Sequence, residues 1–231
     1  MYLFKPLLDF RPSKLDLIFA TKTFIAGMLA LYIAFALNLS YPMWAIGTVF
    51  VIANPYVGMT SSKSIYRLFG TLVGAIFAVA VTPSLINTPL LFTLVLAVWV
   101  SICLYISLLD RTPRSYVFML AGYSAVLICF NAINSIDTIT IFDMALGRCL
   151  EIALGVVCSA VVSVTIFPQH LGPVLQQRVN KTLQDTKVVF DRILSDEEHQ
   201  DNYTLLLAHI TRDTSEIHAM AVHLSYEQSK F

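Results

Sequence analysis

The sequence predicts an all-α polytopic membrane protein, a six-helix transmembrane bundle followed by a cytoplasmic helical hairpin. Three observations carry this reading. Apolar runs of about 20 residues, enough to span the roughly 30 Å hydrocarbon layer, recur along the first three-quarters of the chain. Of its 231 residues 57% are hydrophobic and 13% charged, where soluble domains carry roughly a quarter charged, and the mean hydropathy is +0.72. Among the loops, lysine and arginine mark every second one and are absent from those between. The net charge is zero and no basic stripe is present, so nucleic acid is excluded as a partner. The partner implied throughout is the lipid bilayer.

The elements follow from the apolar runs and their punctuation. Residues 1–16 form an N-terminal cytoplasmic segment with Lys5, Arg11 and Lys14. The first span, 17–39, is longer than the roughly 7 to 15 apolar residues of a signal-peptide core, so it reads as a retained helix. The second, 43–60, is interrupted by Pro55. Pro42 and Pro55 bracket only "MWAIGTVFVIAN", about 18 Å of helix, which leaves a half-crossing segment and a proline-kinked full one as the two readings. The remaining spans are 64–81, 90–109, 113–133 and 143–167. The transmembrane domain thus covers 17–168.

Lys22 and the residues before it, Lys63 with Arg67, Arg111 with Arg114, and Arg178 onward occupy every second loop, whereas "NLSYP", "TPSLINTP" and "NAINSIDTITIF" hold no basic residue. The positive-inside rule therefore predicts both ends of the bundle on the cytoplasmic side of the plasma, or inner, membrane. Tyr41 and Trp44 on the outer side and Tyr56, Tyr66 and Tyr116 on the inner suit interfacial belts. After Pro168 apolar residues become periodic. Leu175, Val179, Leu183, Phe190 and Ile193 mark one helical stripe, and Ile210, Ile217, Ala221 and Leu224 a second, with "SDEEHQDN" between them. Residues 169–231 read as two cytoplasmic helices packed on each other.

Ionisable residues inside a span each cost roughly 2.5 to 3.5 kcal/mol at its centre, so they need a partner or a wet cavity. Arg148 and Glu151 in span six stand i, i+3 on one helix face. They can form a structural ion pair, or a substrate or proton site in which protonation of Glu151 frees Arg148 for an anion. Arginine can snorkel outward from such a depth, while the short glutamate cannot. Arg67 reads most simply as a snorkelling topology anchor. Gly70 and Gly74, spaced GxxxG, and Ala121, Gly122 and Ala125 let helices approach closely in lipid, where packing drives association. In "LLDRTPRSYVFMLAGYSA" Thr112 can cap span five with Pro113 at its first position. Arg114 opposes the helix dipole there, and Asp110 offsets part of the Arg111 and Arg114 charge.

No nucleophile elbow, zinc motif or phosphate-cradling loop occurs, so no catalytic residue, cofactor or metal site is assigned and an enzyme is the least supported class. The cysteines Cys103, Cys129, Cys149 and Cys158 sit in apolar runs as small hydrophobes.

The stretches "NPYVGMTSSKSIYRLFGTLVGA" (54–75), "LLDRTPRSYVFMLAGYSAVLI" (108–128), "ALGRCLEIALGVVC" (145–158), "VTIFP" and "VHLSYEQ" resemble the fusaric acid resistance, or aromatic acid exporter, family. This resemblance implies an inner-membrane permease exporting aromatic carboxylic acids or related small organic anions, with no ATP motif and so a gradient, the proton gradient in the leading reading, as its energy source. It implies, too, pairing with a periplasmic membrane-fusion subunit in some members, and a longer chain or an oligomer supplying a second copy of the bundle. Carried over position by position, Arg148, Glu151 and Tyr123 belong near the translocation path, with Arg67, Arg114 and Asp110 at its cytoplasmic mouth. An organic-anion channel, since plant malate channels resemble the same domain, and a non-transporting scaffold are the competing readings.

Overall fold

The computed structural model describes residues 13–110, 112–134, 140–194, 200–224 and 226; Arg111, and most of the segment before Lys14, lie outside them. Eight helices occur among the described residues: α1 (Lys14–Ala36), α2 (Met43–Ile52), α3 (Val57–Leu85), α4 (Pro89–Leu109), α5 (Ser115–Asn134), α6 (Ile141–Thr165), α7 (Leu171–Leu194) and α8 (Gln200–Leu224). They divide into two compact units, one of Met1–Pro55 with Thr60–Pro168 and one of Tyr56–Met59 with Gln169–Phe231.

The first unit makes this a multi-pass membrane protein, because α1, α3, α4, α5 and α6 are each long and apolar enough to cross a bilayer. Its surface agrees, with Leu90 82%, Met43 76% and Ile76 69% exposed, side chains that lipid tolerates and water would not. Ser13 and Asp16 form a capping box that starts α1. The same helix closes through Leu39 N–H to the Ala34 carbonyl, with Asn38 at φ 51°, a left-handed position that asparagine tolerates.

The second span is corrected. The helix stops at Ile52 after 10 residues, about 15 Å, or half a crossing. Pro55 lacks the N–H a continuing helix needs and biases Asn54 out of the helical region, and the Asn54 carbonyl accepts from the Thr60 hydroxyl. Residues 57–60 belong instead to α3, whose 29 residues run about 43 Å. The start of α5 also shifts. Thr112 accepts from the Arg114 N–H and Asp110 from the Thr112 N–H, so both form a turn and the helix begins at Ser115. These bonds hold the Asp110 carboxyl below its ordinary range, the Thr112 hydroxyl and then its N–H being the main causes.

The central helix is α6. Its buried face runs Arg148, Glu151, Ile152, Gly155, Ser159, Val162 and Ser163, the i, i+3, i+4, i+7 spacing of one helical face. On one side it meets Ala26, Ala30 and Ala34 of α1 and Ala45 and Val49 of α2. On the other, Ala145 joins a cluster with Ala75 and Ala78 of α3, Phe92 and Leu96 of α4 and Ile128 of α5.

Glycines set how closely these helices meet. A Cβ on Gly155 would lie 2.5 Å from the Ala45 carbonyl oxygen, so α2 lies against α6 backbone to backbone. On α3, Gly70 would meet the Val117 carbonyl and Gly74 the Ala121 carbonyl, each at 2.6 Å, with the Ala125 nitrogen at 3.0 Å. Gly122 faces away from α3, its Cβ position 3.3 Å from Cys103 Cβ on α4. All four cysteines are free thiols.

In the second unit α7 packs on α8, but along a different stripe from the one expected. Leu183 and Phe190 are exposed and Val189 is buried. The covered residues run instead from the half-buried Leu175 and Thr182 to the buried Val189, seven apart, which is close to two helical turns. Ile193 lies where side chains are not described. Glu216 ties the pair together, bonded to Arg178 at 2.7 Å and to Arg212 at 3.2 Å. Those bonds, Arg178 first, lower the Glu216 pKa from its ordinary 4.5. A carboxylate lowered on folding stabilises above its unfolded pKa and loses that contribution as pH falls through the lowered value. Protection of the α7 and α8 amides in the full chain, taken relative to the intrinsic exchange rate at each pH, is therefore expected to fall on acidification below about pH 4.5. Glu216→Gln should show a smaller change with pH, and an unchanged pH response would refute the role.

Candidate functional site

The residues predicted to matter separate into two groups. Asp110 and Arg114 stay in the turn between α4 and α5, with Arg114 exposed. Arg67, Arg148 and Glu151 project from α3 and α6 into the bundle, and Tyr123 of α5 is half-exposed beside Arg148.

Arg148 is only 4% exposed, so it does not snorkel. Its guanidinium lies over the Trp44 ring of α2, 3.8 Å from the ring centroid, and 5.8 Å from that of Tyr123 on α5. An aromatic face attracts a cation and substitutes for part of the water the charge has lost. Two Arg148 atoms, Nε and Nη2, are buried with no hydrogen-bond partner. Together they form the side-on edge of the guanidinium, the fork that matches the two oxygens of a carboxylate.

Glu151 is wholly buried. Its Oε1 accepts from the Tyr41 backbone N–H at 2.6 Å, and Oε2 is unpartnered. The structural ion pair open in the sequence is not formed: each charge has taken another partner, the Trp44 ring and the Tyr41 amide. Protonating Glu151 is therefore not needed to release the Arg148 fork. Arg67, 4% exposed, is likewise not a snorkelling anchor. It donates from Nη1 to the Tyr116 hydroxyl at 3.3 Å, leaves Nε unpartnered, and its charge acts on Arg148. The bundle thus buries two guanidiniums here and, among the described residues, one carboxylate. With the unpartnered Thr48 hydroxyl nearby on α2, the site is rich in donors and short of anionic acceptors. Such a set suits a monoanion carrying a carboxylate.

Sequence reasoning missed four participants. Tyr41, Trp44 and Tyr116 read as belt residues, and no local signal tells a belt aromatic from one turned inward. Lys22 read as a topology marker, yet it is 7% exposed and donates to the Ser163 and Phe167 carbonyls at 3.3 and 3.2 Å. It pins α1 to the end of α6, where Phe167 holds φ 45°, a strained value for a bulky residue. Here a signal existed: Lys22 shares the i+4 stripe of Ala26, Ala30 and Ala34 that faces α6. Among the described residues no group of three or more His, Cys, Asp or Glu could hold a metal ion.

Residues 16–231 match the fusaric acid resistance protein family. The chain is 30% identical over 228 residues to p-hydroxybenzoic acid efflux pump subunit AaeB of Salmonella paratyphi A (strain ATCC 9150 / SARB42), covering 92% of this chain and 33% of that protein. The same figures hold for the subunits of that name in Salmonella heidelberg (strain SL476) and Salmonella arizonae (strain ATCC BAA-731 / CDC346-86 / RSK2980). The chain therefore spans about a third of the length of these relatives. Its own match to the family covers the whole of both units apart from the first residues, and the chain is a member of the fusaric acid resistance protein family.

Proposed function

We propose that this chain forms the substrate-binding membrane unit of a permease that exports small aromatic carboxylates across the inner membrane, driven by the proton gradient. The observation that carries it is the Arg148 fork, buried against Trp44 with two N–H groups unpaired. A guanidinium offers paired donors to a carboxylate, and the flanking rings suit an aromatic body. The relatives' names, p-hydroxybenzoic acid efflux pump subunits, agree with that ligand chemistry. The basic loops support placing both ends of the bundle on the cytoplasmic side. The threefold greater length of the relatives supports a second bundle elsewhere in the working protein, and a periplasmic fusion subunit is the partner such a pump would need. No step of this cycle is a chemical reaction on the substrate.

Glu151 is the proton-linked group in this reading. It is the carboxyl of the site; the charged group acting on it is Arg148 on its own helix, on which Arg67 of α3 acts in turn, and α2 presents Trp44 and Thr48 without charge. In vesicles loaded with labelled p-hydroxybenzoate, wild-type efflux should rise with an imposed proton gradient. Glu151→Gln should flatten the pH dependence. Flux that follows voltage and ignores the proton gradient would instead mark an anion channel, and unchanged pH dependence in Glu151→Gln would remove Glu151 from the cycle.

A further inference from the structure

A groove between α4 and α5 shares only Tyr123 with the site above. It has a volume of about 320 Å³ and is lined by Val100, Cys103 and Leu104 of α4 and Met119, Gly122, Tyr123 and Val126 of α5. Gly122 forms its floor, since a side chain there would run into Cys103. Leu104 and Met119 are 51% and 48% exposed, so the groove is open along the surface that lipid covers. Apart from the Cys103 thiol, the Met119 thioether and the Tyr123 hydroxyl its wall is hydrocarbon. An apolar cavity of about 150 Å³ holds a benzene ring, so a single-ring compound fits here with room to spare.

Tyr123 joins this groove to the buried cation. Its ring is 47% exposed and lines the groove, while Arg148, 4% exposed, has its guanidinium carbon 5.8 Å from the centroid of that ring. One aromatic side chain therefore stands between the two places. We propose that the α4–α5 groove is a lateral portal, through which the ring of an amphiphilic aromatic carboxylic acid passes from the bilayer toward the Arg148 fork, with Tyr123 as its gate. The occupant follows from complementarity. A lipid acyl chain would fill the apolar wall but offers nothing to a cation with two open N–H groups behind it. An inorganic anion would suit the cation but not the wall. A molecule with an apolar ring and one carboxylate matches both, in the order in which the groove presents them. This rests on the reading of Arg148 as the carboxylate anchor.

The experiment uses the full chain in proteoliposomes and 4-azidobenzoate as a photolabel, with labelled residues located by mass spectrometry. Labelling is expected on Val100, Leu104, Met119 or Val126, and an excess of p-hydroxybenzoate should suppress it. Leu104→Trp, which fills the groove from its rim, should lower that labelling roughly tenfold, with the melting temperature unchanged to show that the fold survives. Tyr123→Ala should hasten labelling of residues around Arg148, and Tyr123→Phe should not. Labelling confined to the surroundings of Trp44 and Arg148, insensitive to Leu104→Trp, would overturn the portal and leave the exporter reading standing. Labelling that Arg148→Lys leaves unchanged everywhere would overturn the anchor itself. A benzophenone placed at residue 104 that cross-links a second polypeptide would show the groove to be a protein interface and would also overturn the portal.

Discussion

In the permease proposed above, Arg148→Leu is expected to abolish export of aromatic carboxylates, and Arg148→Lys to raise the KM for p-hydroxybenzoate roughly ten- to a hundredfold. The reasoning starts from the fork. The Nε and Nη2 atoms are buried and unpartnered, so a carboxylate arriving there satisfies two donors that the fold leaves open. Hydrogen bonds to charged groups are worth about 1.5 to 3 kcal/mol, and each 1.4 kcal/mol is tenfold in affinity. Lysine keeps the charge over Trp44 but presents a point charge in place of a planar fork. The leucine variant removes the cation altogether, while Glu151 remains held by the Tyr41 amide, so the chain should still assemble. Export from vesicles, with melting temperatures measured alongside, checks both. A lysine variant with the wild-type KM would show that the fork does not bind substrate.

Replacing Gly70 and Gly74 together with leucine should leave little folded protein. Even a single Cβ at either position would sit 2.6 Å from a backbone carbonyl of α5. Backbone cannot turn aside as a flexible side chain can, so α3 and α5 must move apart for the Cβ alone, and further for the rest of the leucine. Overpacking costs about 1 to 3 kcal/mol per site in soluble cores, and in lipid no hydrophobic drive holds the helices together once their close contact is lost. Separation would also carry Arg67 away from Tyr116, because that bond lies one turn from Gly70. The detergent-solubilised double variant is expected to run as aggregate on size-exclusion chromatography, with the yield of the monodisperse peak falling at least tenfold. Leucine at Gly147, where a Cβ meets nothing within 4 Å, serves as the control and should behave as wild type. If the double variant matched that control, close packing of α3 on α5 would not hold this bundle.

The chain by itself determined the class of protein, because apolar runs of spanning length and the lack of charge follow from composition along one segment. It determined the break after Pro168, where periodic apolar residues replace continuous ones. The residues to suspect were legible too, since an arginine and a glutamate within a greasy helix are visible without any structure. Proline at 55 marked the interruption of the second span, though not which side of it the helix would keep.

What each buried group touches was decided only in three dimensions. Glu151 and Tyr41 are 110 residues apart in sequence, and Lys22 is 141 and 145 residues from the carbonyls it caps. Reasoning along a single helix gives depth, and from depth alone a long cationic side chain is expected to reach for water. Packing reversed that for Arg67, Arg148 and Lys22, because a phenol, an indole face and free carbonyls lay within reach inside the bundle. The same limit misplaced the stripe on α7, where Leu183 and Phe190 are exposed and Val189 is buried. Periodicity says that a helix has an apolar face, but the crossing of its partner selects which residues of that face are covered.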